Sequence, residues 1–514
     1  MSAIVTDQFR ILNASNFVDS VNQSDNSYYV VIGLPNSSTV VGFGRSEEWD
    51  TNTPDPEDSF SYNAHFGDTI MYGKKISSSN IRRIVRRLDW ASGNRYEMYR
   101  HDYSLENRSP IKDATRLYDA NYYVLNSDFR VYVCIDNGSD EDSPSGNISI
   151  DEPKFTDLEP SKAGDSGDGY LWKYLFTISP SDVIKFDDLD YITVPDNWEN
   201  SSDFGNKAVR DSANSSLNSN QIKKVYIADR GSGYQNGSHE VDILGDGSGA
   251  RVRVTVESTQ ITDTIVVAGG KGYSWGIVDL GSINGSAAGN YANLVPIIPP
   301  SLGHGYDVYK ELGADRVLIY ARFDDSTENY PTNTRFAQVG IIKNPTSFGS
   351  ESLYEDNTFT NLYSVIFKSL SGTPTIGEKI RQSINNEEIF GYVASYDEET
   401  KVLKYFYDRS LFLRPDTSDY AGVSTGAKFN TFRSDNANIF GLDSNFSGEI
   451  FQEFSGITTN PSGTKVINLG VAFNNGLAEP QINTGSGDLL YIDNRSEIVR
   501  NSRQKEDIKI VLEF

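Results

Sequence analysis

The chain has 514 residues, and 71 Asp+Glu against 46 Lys+Arg leave a formal charge of −25 with its four histidines neutral. That surplus repels phosphates, so whole-molecule binding to nucleic acid or to an anionic membrane is disfavoured. The length corresponds to about three domains, and a single cysteine, Cys134, excludes an internal disulfide.

The start, MSAIVTDQFR, lacks a basic head followed by an apolar run, so no secretory signal is expected. A membrane-spanning helix needs about 20 mostly apolar residues. The longest stretch poor in charge, Leu280 to Tyr309, is instead full of Gly, Asn, Ser and Pro and is expected to be loop. A soluble protein, intracellular at synthesis, is the expectation. With 30 Tyr, 26 Phe, 43 Gly and only three Met, the composition suits sheets and tight turns. Long amphipathic helices should be few.

In chain order, Thr6 is a plausible N-cap, and Phe9, Leu12, Asn13, Phe17 and Val21 fall near one helical face. Tyr28 to Gly33 and Thr39 to Phe43 read as strands around the turn Pro35-Asn36-Ser37-Ser38. A second helix is expected after Ser79 or Asn80, because Ile81, Ile84, Val85 and Leu88 recur at i, i+3, i+4 and i+7. Arg82, Arg83, Arg86 and Arg87 lie mostly on its other side. They form either a solvated face paired with nearby carboxylates or a docking site for an acidic partner.

Tyr122 to Leu125 and Phe129 to Ile135 are the next strands. Cys134, inside Val131-Tyr132-Val133-Cys134-Ile135, reads as buried packing rather than a nucleophile. The acidic loop Asp136 to Asp142 (DNGSDED) lacks the EF-hand pattern and is expected to be a solvated hairpin tip. Further on, alternation puts Tyr170, Trp172, Tyr174 and Phe176 on one strand face, with Leu171, Lys173 and Leu175 on the other.

Residues 222 to 273 contain a repeat. Ile222 to Tyr234 (IKKVYIADRGSGY) and Ile261 to Tyr273 (ITDTIVVAGGKGY) match at a spacing of 39, which predicts two copies of strand and glycine turn. Neither glycine run fits a phosphate-binding loop. A third block, about 350 to 483, holds three expected strands, Glu378 to Ser383, Ile389 to Tyr396 and Val402 to Tyr407. They form a meander fit for a small barrel or sandwich. Ile508, Ile510, Leu512 and Phe514 alternate with polar or outward residues and predict a final half-buried strand returning to a sheet begun near the N-terminus.

Chemistry finds little purchase. His65, His101, His239 and His304 are not at metal-ligand spacing, and no HExxH occurs. No catalytic residue, cofactor or metal is assigned. Seventy-one carboxylates make any glycosidase pair chosen from sequence arbitrary.

Several segments together change this picture: Ala3 to Val21, Gly42 to Trp49 (GFGRSEEW), Val85 to Tyr96 (VRRLDWASGNRY), Gly167 to Ile178 (GDGYLWKYLFTI), Phe336 to Pro345 (FAQVGIIKNP) and Gly487 to Phe514, which opens GDLLYIDNR. In this order they resemble the gene product eight family of baseplate wedge subunits from T-even-type contractile-tailed bacteriophages. The resemblance covers residues 1 to 200, 310 to 345 and 485 to 514. It implies a structural, non-enzymatic subunit of the virion tail baseplate, made and assembled in the host cytoplasm. Its partners would be a second copy and other wedge proteins, with no nucleic acid, membrane, small-molecule substrate or cofactor.

The fold expected from composition and resemblance is mainly β. A multi-domain β-sandwich core (1-204, 309-345, 484-514) would carry a few short flanking helices and two inserted β-rich domains. These are a Gly-rich repeat module at 205-308 and a small barrel or sandwich at 346-483, both lacking in the family's short form. The family also has a proline where this chain has Val85, and one residue fewer before Asp89, which implies a shorter helix, or none, in related proteins. Arg45, Trp49, Arg82, Arg83, Arg86, Arg87, Trp90, Tyr170, Trp172, Tyr491 and Arg495 are the candidate interface or core-defining residues, since aromatics and arginine dominate interface energetics. A glycan- or receptor-binding tail protein and a tail-associated glycosidase are the alternatives.

Overall fold

The computed structural model describes residues 6–34, 53–213, 221–283, 290–324, 335–385, 387–409, 430–435, 438–461, 463, 465–501 and 504–514. Among the described residues strands hold 42% and helices 14%, so the protein is mainly β, built from several sheets that include a closed barrel. Two compact units emerge from chain contacts: 1–18 with 82–318 and 510–514, and 19–81 with 319–509. The expected core segments and the expected insertions are thus distributed over both units.

In the first unit the N-terminal helix, Asp7–Asn22, starts where expected, with the Thr6 hydroxyl accepting from the Phe9 N–H at 3.3 Å. Its buried face is rotated from the expected one. Ile11, Ala14, Val18 and Val21 are buried, whereas Phe9 and Leu12 are exposed. The i, i+3, i+7 series that excludes the larger side chains wins, because Ala14 permits a closer approach than Phe9 or Leu12 would.

The helix expected from Ile81 is a strand, Ile81–Arg86, paired antiparallel with Tyr191–Thr193 through Ile84↔Thr193 and Val85↔Ile192. A short apolar run is compatible with either period. Here β-branched Ile81, Ile84 and Val85 favour the extended form, and cross-strand partners supply the backbone bonds a helix would make internally.

Tyr123–Leu125, Arg130–Asn137 and Tyr170–Thr177 form a three-stranded antiparallel sheet in the main core of this unit. Both faces of Tyr170–Thr177 are buried, Lys173 included. Cys134 is fully buried there, and burial pushes its thiol well above the usual range. Short helices absent from the sequence reading are capped locally. Ser179 accepts from the Asp182 N–H ahead of Pro180–Phe186, and Asp307 from the Lys310 N–H ahead of Val308–Leu312. The latter helix and the strand Asn293–Pro296 also interrupt the stretch expected to be loop.

The internal repeat is a repeat in three dimensions. Val225–Asp229 pairs with Asn293–Pro296, and Gln260–Lys271 pairs with Ser248–Glu257. Ile227↔Leu294 in the first pair corresponds to Val266↔Val252 in the second. Each ladder carries a register shift at the equivalent point, between Asn293 and Leu294 and between Arg251 and Val252. Both glycine turns adopt the left-handed region, with φ of 60° at Gly231 and 64° at Gly270. Each closing tyrosine then does the same job. The Tyr234 hydroxyl accepts from the Ala292 N–H at 2.8 Å, and the Tyr273 hydroxyl from the Ala250 N–H at 3.2 Å.

In the second unit a five-stranded antiparallel sheet is ordered Thr358–Thr360, Ile70–Ile76, Tyr28–Gly33, Arg335–Lys343, Asp488–Val499. Tyr28–Gly33 lies at its centre and is buried on both faces. The chain returns to this first sheet through Asp488–Val499 and not through its last strand. Glu506–Glu513 joins a different sheet, where its neighbour is Arg316–Phe323. The expected strand Thr39–Phe43 and its turn lie outside the described residues.

The expected meander is present as Lys379–Ile384, Glu387–Asp397 and Val402–Phe406. It is extended through Ile439–Gly441, Ser447–Ile450 and Tyr363–Ser371, and the last pairs back onto Val402–Phe406 through Val365↔Leu403. The sheet is therefore a closed six-stranded barrel. Val365, Phe367, Ile380, Val393, Leu403 and Tyr405 are among the residues that fill it. Closure removes two edges that would otherwise template aggregation.

Candidate functional site

The segments that carry the resemblance meet one another inside each unit. In the first, Tyr96 from one segment donates its N–H to the Tyr170 hydroxyl of another at 2.9 Å, and Tyr170 in turn donates to the Asn147 carbonyl at 2.8 Å. Tyr170 and Trp172 stack at 5.3 Å with an interplanar angle of 12°, and the Tyr96 ring meets Trp172 edge-on at 5.8 Å. All three rings are buried, so this aromatic cluster is core. The Trp172 indole N–H has no acceptor among the described residues. Trp90 sits at the rim, its indole donating to the Ser149 hydroxyl at 3.1 Å.

In the second unit, the strands Arg335–Lys343 and Asp488–Val499 bring two other matched segments side by side. Between them Gln338 donates to the Asn494 side-chain oxygen at 2.9 Å, and Asn494 donates to the Tyr62 hydroxyl at 2.7 Å. Sequence reading missed this buried amide network. Its signal was present at Gln338, which interrupts the apolar run Phe336 to Ile342, whereas Asn494 lies in a strand with several other polar residues and does not stand out. Tyr491, on the same strand, is partly buried, and Arg495 is exposed beside Asp493. Arg45 and Trp49 lie outside the described residues.

The four arginines of the strand Ile81–Arg86 and its neighbour each have contacts within the first unit. Arg82 bonds Asp182 at 3.1 Å, and Arg83 donates to the Ser15 hydroxyl at 2.9 Å. Arg86 donates to the Ala120 carbonyl at 2.8 Å. Arg87 bridges Asp89 at 3.0 Å and Asp187 at 2.7 Å. On a strand the four side chains point to both faces, so no single basic stripe forms.

The acidic loop is exposed at Glu141 and Asp142, as expected, and is also tied down by cations. Arg230 binds Asp140 at 2.7 Å and Asp142 at 3.0 Å, while its N–H donates to Glu141 at 2.7 Å. Lys224 binds Asp136 at 2.6 Å. Tyr226, between those cations in sequence, lies under Arg100, whose guanidinium carbon is 4.3 Å from the ring centroid. The loop thus anchors the first strand of the repeat module to the rest of its unit. Among the described residues no group of three or more His, Cys, Asp and Glu side chains is placed to hold a metal ion.

Two histidines have carboxylate partners in the interior. His65 faces Asp408 at 3.0 Å, and His304 faces Glu311 at 2.6 Å, each pair almost fully enclosed. A base must reach its substrate to work, and enclosed rings of this kind serve as braces between elements. His304 also lines a cavity of about 20 Å³ together with Lys173. That volume suits a single water. Lys173 donates to the Leu158 carbonyl, and burial pulls its ammonium down to about 8. The second unit has a larger cleft of about 360 Å³, lined by Phe60, Phe66, Ile70, Ile342 and Leu489 with Arg409 at its edge. Arg409 is held by Asp68 at 2.6 Å. Neither lining contributes the two carboxylates that glycoside hydrolysis requires.

No family model matches the chain. The chain is similar to "Baseplate wedge protein gp8" of Enterobacteria phage T4, with 27% identity over 220 residues, which cover 38% of this chain and 60% of that protein. The chain therefore spans about three fifths of the curated relative it matches. This distant likeness supports a relation to phage baseplate proteins.

Proposed function

We propose that the protein is a structural component of the baseplate wedge of a contractile phage tail. In this reading it is a homodimer located in the virion baseplate and assembled in the host cytoplasm. It bridges neighbouring wedge proteins and takes part in tail assembly and in the rearrangement on host attachment. The observation that carries the reading is the likeness to the T4 wedge protein. The matched segments also form the buried clusters Tyr96–Tyr170–Trp172 and Gln338–Asn494, the parts of a fold that tolerate change least. Co-expression with neighbouring wedge proteins tests it, with a co-purifying complex expected. A stable monomer by light scattering at micromolar concentration, with no wedge protein retained, would sink it.

A second reading, a glycan- or receptor-binding tail protein, draws on Trp275 and Tyr291, large aromatics left exposed on the repeat module. Retention of host polysaccharide by the purified protein, lost on Trp275→Ala, would favour it.

A further inference from the structure

The repeat module carries a four-stranded sheet ordered Gln260–Lys271, Ser248–Glu257, Gly237–Gly245, Gly276–Val278. One face is the core of the module, with Val241, Val252 and Val278 buried. Side chains alternate along a strand, so Asp242, Leu244 and Asp246 share the other face, as do Trp275, Ile277 and Asp279 along the edge strand. Pairing sets them in three rows. Leu244 lies opposite Ile277. On one side of that row Asp279 donates its N–H to the Asp242 carbonyl at 2.9 Å, and on the other Trp275 donates its N–H to the Asp246 carboxylate at 3.2 Å. Ile277 is 62%, Leu244 55% and Trp275 53% exposed. Three such side chains side by side form an apolar patch with carboxylates at both ends.

The charges around this patch are mostly of one sign. Asp279 accepts from the Gly281 N–H at 3.0 Å. Asp246 accepts from the Ser274 hydroxyl and from the Ser274 N–H at 2.9 Å, and these donors hold its carboxyl down at about 2. The two arginines of the face are engaged by Glu240, Arg253 at 2.9 Å and Arg251 at 3.0 Å, and Arg251 reaches Asp242 only at 3.5 Å. Asp242 and Asp279 therefore stand side by side, and like charges directly opposite on neighbouring strands repel. A cation supplied from outside relieves that repulsion.

We propose that this face docks an extended segment of a partner protein in which a basic, an apolar and a second basic side chain occupy alternate positions. The spacing follows from strand geometry. The row of Asp242 and that of Asp246 are four residues apart, about 13 Å, which is also the distance between side chains i and i+4 of an extended segment. The apolar side chain covers Leu244 and Ile277, one basic group sits between Asp242 and Asp279, and the other meets Asp246 and the Trp275 ring. Charge disfavours a second copy as the occupant, since a chain at −25 is repelled by an acidic face. This docking is separate from the homodimer proposed above.

The probe is the peptide acetyl-Ser-Lys-Thr-Leu-Thr-Arg-Ser-amide, titrated to millimolar concentration into the full-length, nitrogen-15-labelled protein. Five tryptophans give five indole N–H signals, and the one missing from Trp275→Phe belongs to Trp275. That signal should move saturably while the other four stay in place. Asp242→Asn with Asp279→Asn should weaken binding about fivefold, and Leu244→Ser, at an exposed position, about as much, with circular dichroism confirming the fold of each variant. No movement of the Trp275 signal would overturn the proposal. So would equal movement with a peptide carrying Glu for both bases, or with one carrying Ser for Leu, which would reduce the effect to non-specific attraction of cations. Movement on raising the protein concentration alone would assign the face to a second copy, and movement with host polysaccharide but not with the peptide would assign it to a glycan; either result overturns the basic partner.

Discussion

The guanidinium carbon of Arg83 lies 3.7 Å from the centroid of the Tyr309 ring. Arg83 thereby ties the strand Ile81–Arg86 to the helix Val308–Leu312, elements more than 200 residues apart in the chain, and its bond to Ser15 adds the N-terminal helix. A residue that looked available for docking is a three-way brace. Arg83→Ala should cost about 2 to 3 kcal/mol, the sum of a desolvated cation–π contact and a charge-assisted hydrogen bond. Lysine should not rescue it, lacking the flat face. Thermal unfolding of the three proteins checks both statements.

Lys173 carries a pH prediction. Its folded-state value near 8 lies below the ordinary 10.5 because burial disfavours the ammonium. Between those values the unfolded chain binds more protons than the folded one, so stability rises with pH across that window. Below about 8 both states are protonated and the folded state bears the full desolvation cost, on the order of 3 kcal/mol. Lys173→Met should therefore be stabilising at pH 7. Its advantage should shrink as pH approaches 10, as measured by denaturant titration of both proteins at each pH.

Phenylalanine substitutions separate the two stacked rings of the core. Tyr170→Phe leaves the Tyr96 N–H and the Asn147 carbonyl without the hydroxyl that served both, and should cost about 1 to 3 kcal/mol beyond any packing change. Trp172→Phe forfeits no hydrogen bond and costs volume only. Equal losses traceable to hydrogen bonding in both variants would contradict the geometry.

Removing Arg230 should free the acidic loop. Arg230→Ala leaves Asp140 and Asp142 with one fewer counter-charge and should raise amide exchange in residues 136–142 and 225–231 before it affects the barrel of the second unit. Calcium added to the wild type should not shift the melting temperature. A calcium-dependent increase would point to a metal role for the loop.

The two glycine turns of the repeat should respond alike. A Cβ on Gly231 would come within 2.5 Å of the Ala292 nitrogen, and one on Gly270 within 2.5 Å of the Ala250 nitrogen, each at positive φ. Gly231→Ala and Gly270→Ala should each destabilise the protein by more than about 1 kcal/mol. Tolerance of either substitution would break the equivalence.

Period and composition were enough to read the β class, the strand Tyr28–Gly33, the meander from residue 379 to 406, the buried Cys134 and the 39-residue repeat. These are local properties: alternation, turn residues and self-similarity are written in neighbouring positions. Ile81–Arg86 was misread because six residues cannot distinguish a period of two from one of 3.6, and the partner strand Tyr191–Thr193 that decides the matter lies about 100 residues away. The rotation of the first helix was misassigned for a related reason. Helical spacing argued for the face of Phe9, Leu12, Phe17 and Val21, whereas the space actually available admitted Ala14.

Charge shows the division most clearly. Sequence alone established that the protein is strongly acidic, that Arg82, Arg83, Arg86 and Arg87 cluster, and that residues 136 to 142 form an acidic run. Only the tertiary structure decided where those charges are neutralised. Folding brought Lys224 and Arg230 to the acidic run, Asp182 and Asp187 to the arginines, and Glu240 and Asp242 opposite Arg251 and Arg253. Coulombic pairing acts over a few ångströms of space, and separation along the chain places no limit on which residues meet there.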